Sequence, residues 1–362
     1  MKIDFYISSI SGGGAENVLV MLAKRFSELG HSVGITSLEK REQFYEIPCE
    51  IKLNKIHANS PNSIFECWYD FKGIRKYLKN SKADVSISFL SRCNLLLLVT
   101  SLFNKSKIVV CDRNNPLKEH SKLVFWVSCQ LYRRANMIVV QTEQIRKMYP
   151  KYLQKKLCVI ENPLDTEKMN NQITGETVTK ENVVISVGRL EKQKDFKTLI
   201  KAFHNVSDKN PEWKLKIFGV GNMKEELQRI IDSLGDSGKI QLCGHTKEPF
   251  VEMKKSKIFV LSSFYEGFPN VLCEAMYAGL PCVSTDCISG PRELIKDGEN
   301  GFLVPIGAIT ELEHVLEKLM QDESLREEVG KKASLECKRL ELGFIADKWL
   351  LMLTKIKENR IK

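Results

Sequence analysis

The sequence has few of the features that mark secreted, metal-binding or membrane-spanning proteins. Its six histidines are dispersed, and its eleven cysteines include no CxxC pair. This distribution lacks the spacing of a zinc site and argues against a disulfide framework. No apolar run approaches the roughly 18 residues of a membrane-spanning helix, and the amino terminus starts as a strand, without the apolar core of a secretory signal. We therefore expect a cytosolic chain with reduced thiols and no bound metal.

The composition that is present favours two globular domains with different charge. The chain has 362 residues, of which 43% are hydrophobic and 28% charged, as in soluble proteins with more than one domain. Residues 1–162 contain 25 basic and 14 acidic residues, whereas residues 163–362 contain 30 and 31. Residues 64–156 alone carry an excess of +12. The first half is therefore expected to meet an anionic partner, and a uniformly basic nucleic-acid binder is disfavoured.

Alternating strand and helix patterns predict a parallel sheet in each half. Strand candidates of the first half lie at 2–7, 31–37, 85–90, 108–111, 137–141 and 157–160. Those of the second half lie at 183–187, 215–218, 240–242, 258–261, 282–285 and 301–304. We predict an α/β fold with two doubly wound, Rossmann-like domains (1–165 and 183–340), a polar linker (166–182) and a last helix in 341–362 that crosses back to the first domain. Ligands are expected in the cleft that the strand carboxyl ends face.

A glycine-rich turn follows the first strand. Gly12, Gly13 and Gly14 let the backbone approach a ligand, and the helix behind them favours an anion at its amino terminus. A dinucleotide fingerprint would need glycine where Asn17 stands, and a Walker loop would need Gly-Lys-Ser/Thr, which is absent. By its spacing alone, the turn is either a ligand contact or simply a tight turn.

Two cations occupy the loop after the first strand of the second half. Arg189 offers a planar fork that binds phosphate, and Lys194 adds a mobile point charge. Cations five residues apart on a strand-to-helix loop suit a diphosphate leaving group. The alternative interpretation is a solvated charged loop.

Two carboxylates lie near a later helix. Pro269 favours a helix that begins near it, so Glu266 lies in the preceding loop and Glu274 about one turn inside an otherwise apolar helix. A carboxylate there needs a partner, because an unpaired buried charge is costly. The amides of Asn270 and Val271 would point from the helix amino terminus toward any anion. The alternative interpretation is that the acids only complement the positive end of the helix dipole. This would explain Glu266, which precedes the helix, but not Glu274, which lies inside it.

These residues carry a family resemblance. Glu266 and Glu274, with seven residues between them, resemble the E-x7-E motif of the family 4 retaining glycosyltransferases, whose two Rossmann-like domains face a central cleft in the GT-B arrangement. Other motifs agree in order along the chain: GGGAE at 12–16, NP at 162–163, GR…K at 188–194, GVG at 219–221, SGPRE at 289–293 and GENGFLV at 298–304. The match covers most of the chain and is strongest from 183 to 305.

The resemblance implies a role for each matched residue. Arg189 and Lys194 would neutralise the donor diphosphate, and Glu266 would hold hydroxyls of the transferred sugar; these three are the implied catalytic residues. Glu274 would hold the ribose hydroxyls of the nucleotide. The remaining implied donor-binding residues are Gly14, Gly219, Gly221, His245, Asn270 and Val271. Retention of the anomeric configuration is implied, with no cofactor and no divalent metal.

The chain departs from the family pattern at two places. Where many relatives place a histidine near the transferred sugar, this chain reads CDRNNP at 111–116, similar to a variant found in bacterial surface-polysaccharide transferases. Arg113 fills that position and, with Asn162, is assigned to the sugar or the acceptor. The GVGN sequence at 219–222 lacks the Asp and Pro of the commoner GDGP loop.

Basic and apolar residues share two segments of the first half. In 64–79, one helical face holds Ile64, Trp68, Phe71, Ile74 and Leu78, and another holds Lys72, Lys76 and Lys79. In 118–134, the run LVFWV lies between Lys118, Lys122, Arg133 and Arg134. Such segments suit the surface of an anionic bilayer, although ordinary core-facing helices have the same pattern. Lys122 and Arg133 are also assigned to the diphosphate of a lipid-linked acceptor.

The combined prediction is a retaining, metal-independent hexosyltransferase. It would move a hexose or N-acetylhexosamine from a UDP-sugar to a polyprenyl-diphosphate-linked glycan, for a surface polysaccharide such as O-antigen or capsule. Its partners would be the nucleotide sugar, the lipid acceptor and the inner face of the cytoplasmic membrane, to which it would bind peripherally. Nucleic acid is not an expected partner.

The alternatives are a nucleotide-sugar epimerase or phosphorylase on the same fold, and a non-catalytic membrane-associated scaffold. A nicotinamide-dependent oxidoreductase is disfavoured by Asn17.

Overall fold

The chain folds into two α/β units, one formed by residues 1–163 with 340–362 and the other by residues 164–339. The computed structural model describes residues 1–38, 44–56, 63–103, 106–119, 121–173 and 178–360. Both units are built on parallel sheets, which confirms the predicted α/β class with two Rossmann-like domains.

The first unit contains a seven-stranded parallel sheet. Its strands are β1 (Lys2–Ile7), β2 (Ser32–Ser37), β3 (Lys52–Lys55), β4 (Val85–Phe89), β5 (Ile108–Cys111), β6 (Met137–Val140) and β7 (Leu157–Val159). Their order is β3-β2-β1-β4-β5-β6-β7, so the direction in which successive strands are added to the sheet reverses beside β1, as in doubly wound folds. The helices of residues 1–163 are α1 (Gly14–Glu28), α2 (Ser63–Ser81), α3 (Ser91–Thr100), α4 (Pro116–Glu119), α5 (Lys122–Tyr132) and α6 (Glu143–Met148).

The second unit contains a six-stranded parallel sheet. Its strands are β8 (Val183–Val187), β9 (Lys214–Phe218), β10 (Ile240–Gly244), β11 (Ile258–Leu261), β12 (Cys282–Thr285) and β13 (Phe302–Val304), in the order β10-β9-β8-β11-β12-β13. Its helices are α7 (Thr166–Asn171), α8 (Phe196–Ser207), α9 (Lys224–Leu234), α10 (Pro249–Lys255), α11 (Asn270–Tyr277), α12 (Pro291–Leu294), α13 (Ile309–Gln321) and α14 (Glu323–Cys337). The loops after β8 and β11 are therefore neighbours at one edge of this sheet.

The last helix, α15 (Leu342–Lys357), packs on the first unit. Trp349 is fully buried, and its ring stacks on Phe89 with the centroids 6.4 Å apart. Helices α1 and α15 cover the sheet face that presents Ile3, Phe5 and Ile7. Tyr6 and Val110 belong to a second buried cluster, so both faces of this parallel sheet are covered.

Two parts of the fold differ from the sequence prediction. Strand β3 was not predicted, because KLNK contains one apolar residue and forms a partly exposed edge strand. The polar segment 166–182 was predicted to be a linker, but it begins with α7 and lies in the second unit. Asp165 caps that helix by accepting the Lys168 N–H at 3.0 Å, a local interaction that a search for apolar periodicity does not detect. Residues 174–177 of the segment lie outside the described residues.

Candidate active site

A buried ion pair joins the loops that follow β8 and β11. The Lys194 Nζ lies 2.7 Å from the Glu266 Oε1, and the two side chains are 14% and 8% exposed. The Ser263 hydroxyl donates to the same carboxylate oxygen at 2.6 Å. The structure thus brings together two of the three predicted catalytic residues.

The backbones of these two loops are tied to each other as well. The Phe264 N–H donates to the Gln193 carbonyl at 2.8 Å, and the Gln193 side-chain amide donates to the Tyr265 carbonyl at 2.8 Å. The Ser262 hydroxyl donates to the Lys194 carbonyl at 2.7 Å. Lys194 is therefore held by its backbone and its side chain, which fixes a positive charge at the sheet edge before any ligand binds.

Arg189 lies in a different environment from Lys194. Its side chain is 69% exposed and pairs with Glu191 at 3.0 Å. An exposed pair of this kind contributes little to stability. Arg189 can consequently exchange the Glu191 carboxylate for another oxyanion at small cost.

Glu274 lies on α11, among apolar residues of that helix. Leu272, Cys273 and Ala275 are fully buried, whereas Glu274 itself is partly exposed. Desolvation of the carboxyl group by its surroundings raises its pKa to about 7 although the residue is not fully buried, and the nearby charge of Lys168 partly opposes that shift. A group with this pKa changes charge near neutral pH.

The amino terminus of α11 lies at Asn270, as the position of Pro269 predicted. The Asn270 N–H already donates to the Phe268 carbonyl at 3.0 Å. The prediction that this helix end contacts a donor anion therefore depends mainly on the Val271 amide.

Gly219 and Gly221 let the loop after β9 lie directly against the loop after β8. A Cβ at Gly219, where φ is +152°, would lie 1.8 Å from the Gly188 carbonyl oxygen, and a Cβ at Gly221 would lie 2.3 Å from the Leu190 oxygen. The Gly219 N–H donates to the Gly244 carbonyl at 2.7 Å, next to the exposed predicted donor residue His245. These glycines thus set the position of the loop that carries Arg189.

No role was predicted for Ser289, the first residue of the SGPRE motif at 289–293. The Ser289 hydroxyl donates to the Glu266 carbonyl at 2.5 Å. A Cβ at Gly290 would lie 2.6 Å from Cδ of Pro269. The motif therefore packs against the Glu266 loop, and with Ser263 it holds Glu266 in place.

In the first unit, the glycine turn is organised by Glu16, for which no role was predicted. Its Oε2 accepts the N–H groups of Gly12 at 2.6 Å and Gly13 at 3.0 Å, and its Oε1 accepts the Ser9 hydroxyl at 2.5 Å. Two amides of the turn are consequently occupied by an internal carboxylate. Gly14, the predicted donor contact, is the first residue of α1.

Arg113 and Asn162, which were both assigned to the sugar or acceptor, are in contact. The Arg113 Nη1 donates to the Asn162 Oδ1 at 2.5 Å, and both residues are buried. Lys122 and Arg133, the other assigned residues, are exposed at opposite ends of α5. Arg133 lies over the Tyr152 ring, with its guanidinium carbon 5.8 Å from the centroid.

An apolar surface is exposed on the α2–α3 and α5 side of the first unit. On α5 the exposed large side chains are Leu123, Val124, Trp126 and Val127. A groove of about 620 Å³ is lined by residues of α2 and α3, namely Cys67, Trp68, Phe71, Arg92, Leu95, Leu96 and Val99. Ile74 and Leu78 of the predicted apolar face are buried, whereas Trp68 is half exposed; the Ile64 side chain lies outside the described part of the chain.

The described residues form neither a membrane-spanning helix nor a cluster of metal ligands. None of their helices is long and apolar enough to cross a bilayer. They also contain no group of three His, Cys, Asp or Glu side chains that could hold a metal ion.

Comparisons with known proteins match both halves of the chain. Residues 12–168 match the family model described as Glycosyltransferase Family 4, and residues 168–335 match that described as Glycosyl transferases group 1. The chain is 29% identical to the Campylobacter jejuni GalNAc-α-(1→4)-GalNAc-α-(1→3)-diNAcBac-PP-undecaprenol α-1,4-N-acetyl-D-galactosaminyltransferase, over 99% of each chain. It is 30% identical to the amylovoran biosynthesis glycosyltransferase AmsD of Erwinia amylovora, over 92% of this chain and 93% of that protein.

The comparison with solved structures agrees on the fold. The crystal structure of Anabaena HepE in complex with UDP and glucose matches with a TM-score of 0.82 and 19% identity, over 98% of this chain and all of that chain. Because relatives are matched almost end to end and the predicted motifs lie within the matched ranges, the chain belongs to the family 4 glycosyltransferases and has their GT-B fold.

Proposed function

We propose that the protein is a retaining hexosyltransferase that moves an N-acetylhexosamine or a hexose from a UDP-sugar. The acceptor would be a polyprenyl-diphosphate-linked glycan, and the product would serve the synthesis of a surface polysaccharide or related glycan. The buried Lys194–Glu266 pair carries the proposal, because it places a fixed cation beside a carboxylate that can accept sugar hydroxyls. The substrates are supported by the Campylobacter relative, whose name specifies N-acetylgalactosaminyl transfer to a PP-undecaprenol-linked glycan. The donor nucleotide is supported by the UDP bound to HepE.

In the proposed reaction, the bond between the anomeric carbon and the diphosphate oxygen breaks, and the electron pair leaves with UDP. An acceptor hydroxyl forms the new bond on the same face of the sugar, and its proton passes to a donor phosphate oxygen. Lys194 and Arg189 offset the charge that develops on the leaving diphosphate, with no need for a divalent metal. Arg189 would first release Glu191.

The test is nucleotide release from a panel of UDP- and GDP-sugars in EDTA, with and without a polyprenyl diphosphate that carries a short glycan. We expect release from one UDP-sugar that requires the lipid. Turnover without a lipid acceptor would instead support an enzyme that acts on the nucleotide sugar alone, such as the epimerase alternative or a hydrolase. Loss of release in EDTA, restored by Mg²⁺ or Mn²⁺, would contradict the metal-independent mechanism.

We also propose that the basic and apolar surface of the first unit binds the cytoplasmic face of an anionic membrane, which would bring the active site to its lipid acceptor. Exposed Leu123 and Trp126 on α5 suit the bilayer interface, and the exposed Lys118 and Lys122 precede them in the sequence. On α2, the Lys72 ammonium lies over the Trp68 ring, 3.6 Å from its centroid.

Charge reversal of Lys72 and Lys76 should weaken this membrane binding. Each surface cation contributes about 1 kcal/mol toward an anionic bilayer, so K72E/K76E should reduce the affinity for vesicles by roughly thirtyfold or more. The measurement is co-sedimentation with phosphatidylglycerol vesicles at low and high salt. K331E/K332E, on exposed positions of α14 in the second unit, is the matched control and should bind like the unmodified protein. Equal binding by both variants would contradict the proposed surface.

Glu274 should make donor binding depend on pH. Its pKa of about 7 means that acidification protonates the carboxylate that would accept the ribose hydroxyls. Because the ionised form binds, affinity should be highest above pH 7 and should fall as the pH drops through that value, by up to about tenfold per pH unit. The measurement is calorimetric titration with a UDP-sugar, whose diphosphate diester does not titrate in this range. Glu274→Gln should bind weakly at every pH; an unchanged pH profile in this variant would remove Glu274 from the donor site.

A further inference from the structure

The Arg113 guanidinium is buried with only part of its hydrogen-bonding capacity used. The residue is 8% exposed and directly follows Cys111-Asp112 at the carboxyl end of β5. Its Nη1 donates to Asn162, but Nε and Nη2 are buried without a hydrogen-bond partner among the described residues. The guanidinium carbon lies over the Phe89 ring, 4.2 Å from the centroid.

The neighbouring carboxylate, Asp112, does not compensate this charge. Its Oδ1 accepts the Tyr132 hydroxyl at 2.7 Å and the Asn94 amide at 2.8 Å, and its Oδ2 accepts the Tyr149 hydroxyl. Those donors are neutral, and burial raises the pKa of both tyrosines well above the usual value. No ion pair is formed by Arg113 with any described carboxylate.

The Cys111 thiol does not compensate the charge either. Burial raises the pKa of Cys111 to about 12 despite the nearby guanidinium, so the thiol stays neutral. The guanidinium therefore has only neutral neighbours, namely the Asn162 oxygen, the weakly accepting Cys111 sulfur and the Phe89 ring. Burying a cation in this way is costly, because its charge and its unpaired donors lose their hydration. An oxyanion that reached Arg113 would therefore lower the cost of burying this charge.

We propose that Arg113 binds a phosphate group of a substrate, in place of the sugar contact that its position in the family pattern suggests. This inference rests on the proposed function, in which both substrates carry a diphosphate. The unpaired Nε and Nη2 form the edge of the guanidinium that binds phosphate in a bidentate manner. Both nitrogens are buried in the unliganded chain, so the side chain must rotate off the Phe89 ring to reach the phosphate.

The position of Arg113 in the fold favours such a movement. The backbone before it is fixed: the Asp112 N–H donates to Val139 at 3.1 Å, and the Asp112 carbonyl accepts the Gln141 amide at 2.6 Å. The long side chain is therefore the part that can move. It starts from the carboxyl edge of the sheet, the same edge that holds the glycine turn after β1.

Two pairs of ligands test the proposal without requiring turnover. Affinities of UDP against uridine, and of farnesyl diphosphate against farnesol, are measured by calorimetry for the unmodified protein, Arg113→Gln and Arg113→Met. We expect both variants to lose about ten- to hundredfold in affinity for one diphosphate and almost nothing for its neutral counterpart. Loss for UDP identifies the nucleotide sugar as the phosphate source, and loss for farnesyl diphosphate identifies the lipid acceptor. Arg25→Gln, which removes an arginine paired with Glu28 on α1, is the control and should change neither affinity.

Thermal unfolding of the free protein provides a second readout. If the cation is buried at a cost, Arg113→Met should raise the melting temperature by about 2 °C or more. Unchanged affinities for both diphosphates would overturn the proposal, and a lower melting temperature beside them would show that the role of Arg113 is structural. Equal losses for UDP and uridine, and for farnesyl diphosphate and farnesol, would overturn it too. Neither measurement depends on the nucleotide-release assay, so the proposed transfer reaction and the role of Arg113 can fail separately.

Discussion

Lys194→Ala is expected to lower kcat by about 10²- to 10³-fold, the effect of losing one fixed charge-stabilising group at a reacting centre. Lys194 is the cation that the structure holds most firmly at the sheet edge, through the Glu266 pair and the Ser262 hydrogen bond. Because these contacts already hold Lys194 in place, the proposed diphosphate would meet a charge that needs little reorganisation. The measurement is steady-state nucleotide release with the donor identified by the panel.

Loss of stability must be separated from loss of catalysis in this variant. Lys194→Ala leaves the Glu266 carboxylate buried without its cation, which lowers the free energy of unfolding by about 3 kcal/mol or more. Adding Glu266→Gln removes the unpaired charge, so the double variant should regain stability but not activity. Lys197→Ala, which removes an exposed lysine paired with Glu226, is the matched control and should keep near-normal activity. Recovery of kcat in the double variant would show that the Lys194–Glu266 pair is only structural.

The sheets were predictable because their strands are short apolar runs. The predicted strands β1, β5, β8, β11 and β12 have the observed bounds, since parallel strands buried on both faces leave a clear signal. The exceptions are β3 and α7, which are held by an edge pairing and by an Asp165 cap. Short elements of this kind depend on neighbours and single side chains, which periodicity does not reveal.

The site residues that could be predicted are charged residues at positions where charge is unexpected, inside an apolar helix or in a loop that follows a strand. Glu266, Glu274 and Lys194 fit that description, and the structure places each at the carboxyl edge of the second sheet or on the helix that follows. Ser263 and Glu16 could not be assigned roles, because an ordinary serine or glutamate becomes distinctive only through what it contacts. The difference between the buried Lys194 and the exposed Arg189 depends in the same way on tertiary packing.

The predicted role of Gly219 changes once the loop contacts are known. The sequence assigned this glycine to the donor, whereas the structure gives it a packing role that exists without any ligand. A Cβ at this position would overlap the Gly188 carbonyl oxygen, so no side chain fits. Ligand contact and close packing are compatible, but the packing alone is enough to require glycine.

Gly219→Ala should therefore lower the free energy of unfolding of the second unit by about 3 kcal/mol or more, from the overlap with the Gly188 oxygen and the strained backbone together. The loops would separate and move Arg189, so donor affinity should fall as well.

Gly235→Ala is the matched control. Gly235 also has a positive φ, of +75°, but a Cβ there meets nothing within 4 Å, so its free energy of unfolding should fall by only about 1 kcal/mol. Thermal melts with and without UDP measure both effects. Equal melting temperatures for the two variants would show that packing between the loops after β8 and β9 does not require glycine at position 219. A direct contact with the donor would then be the better explanation.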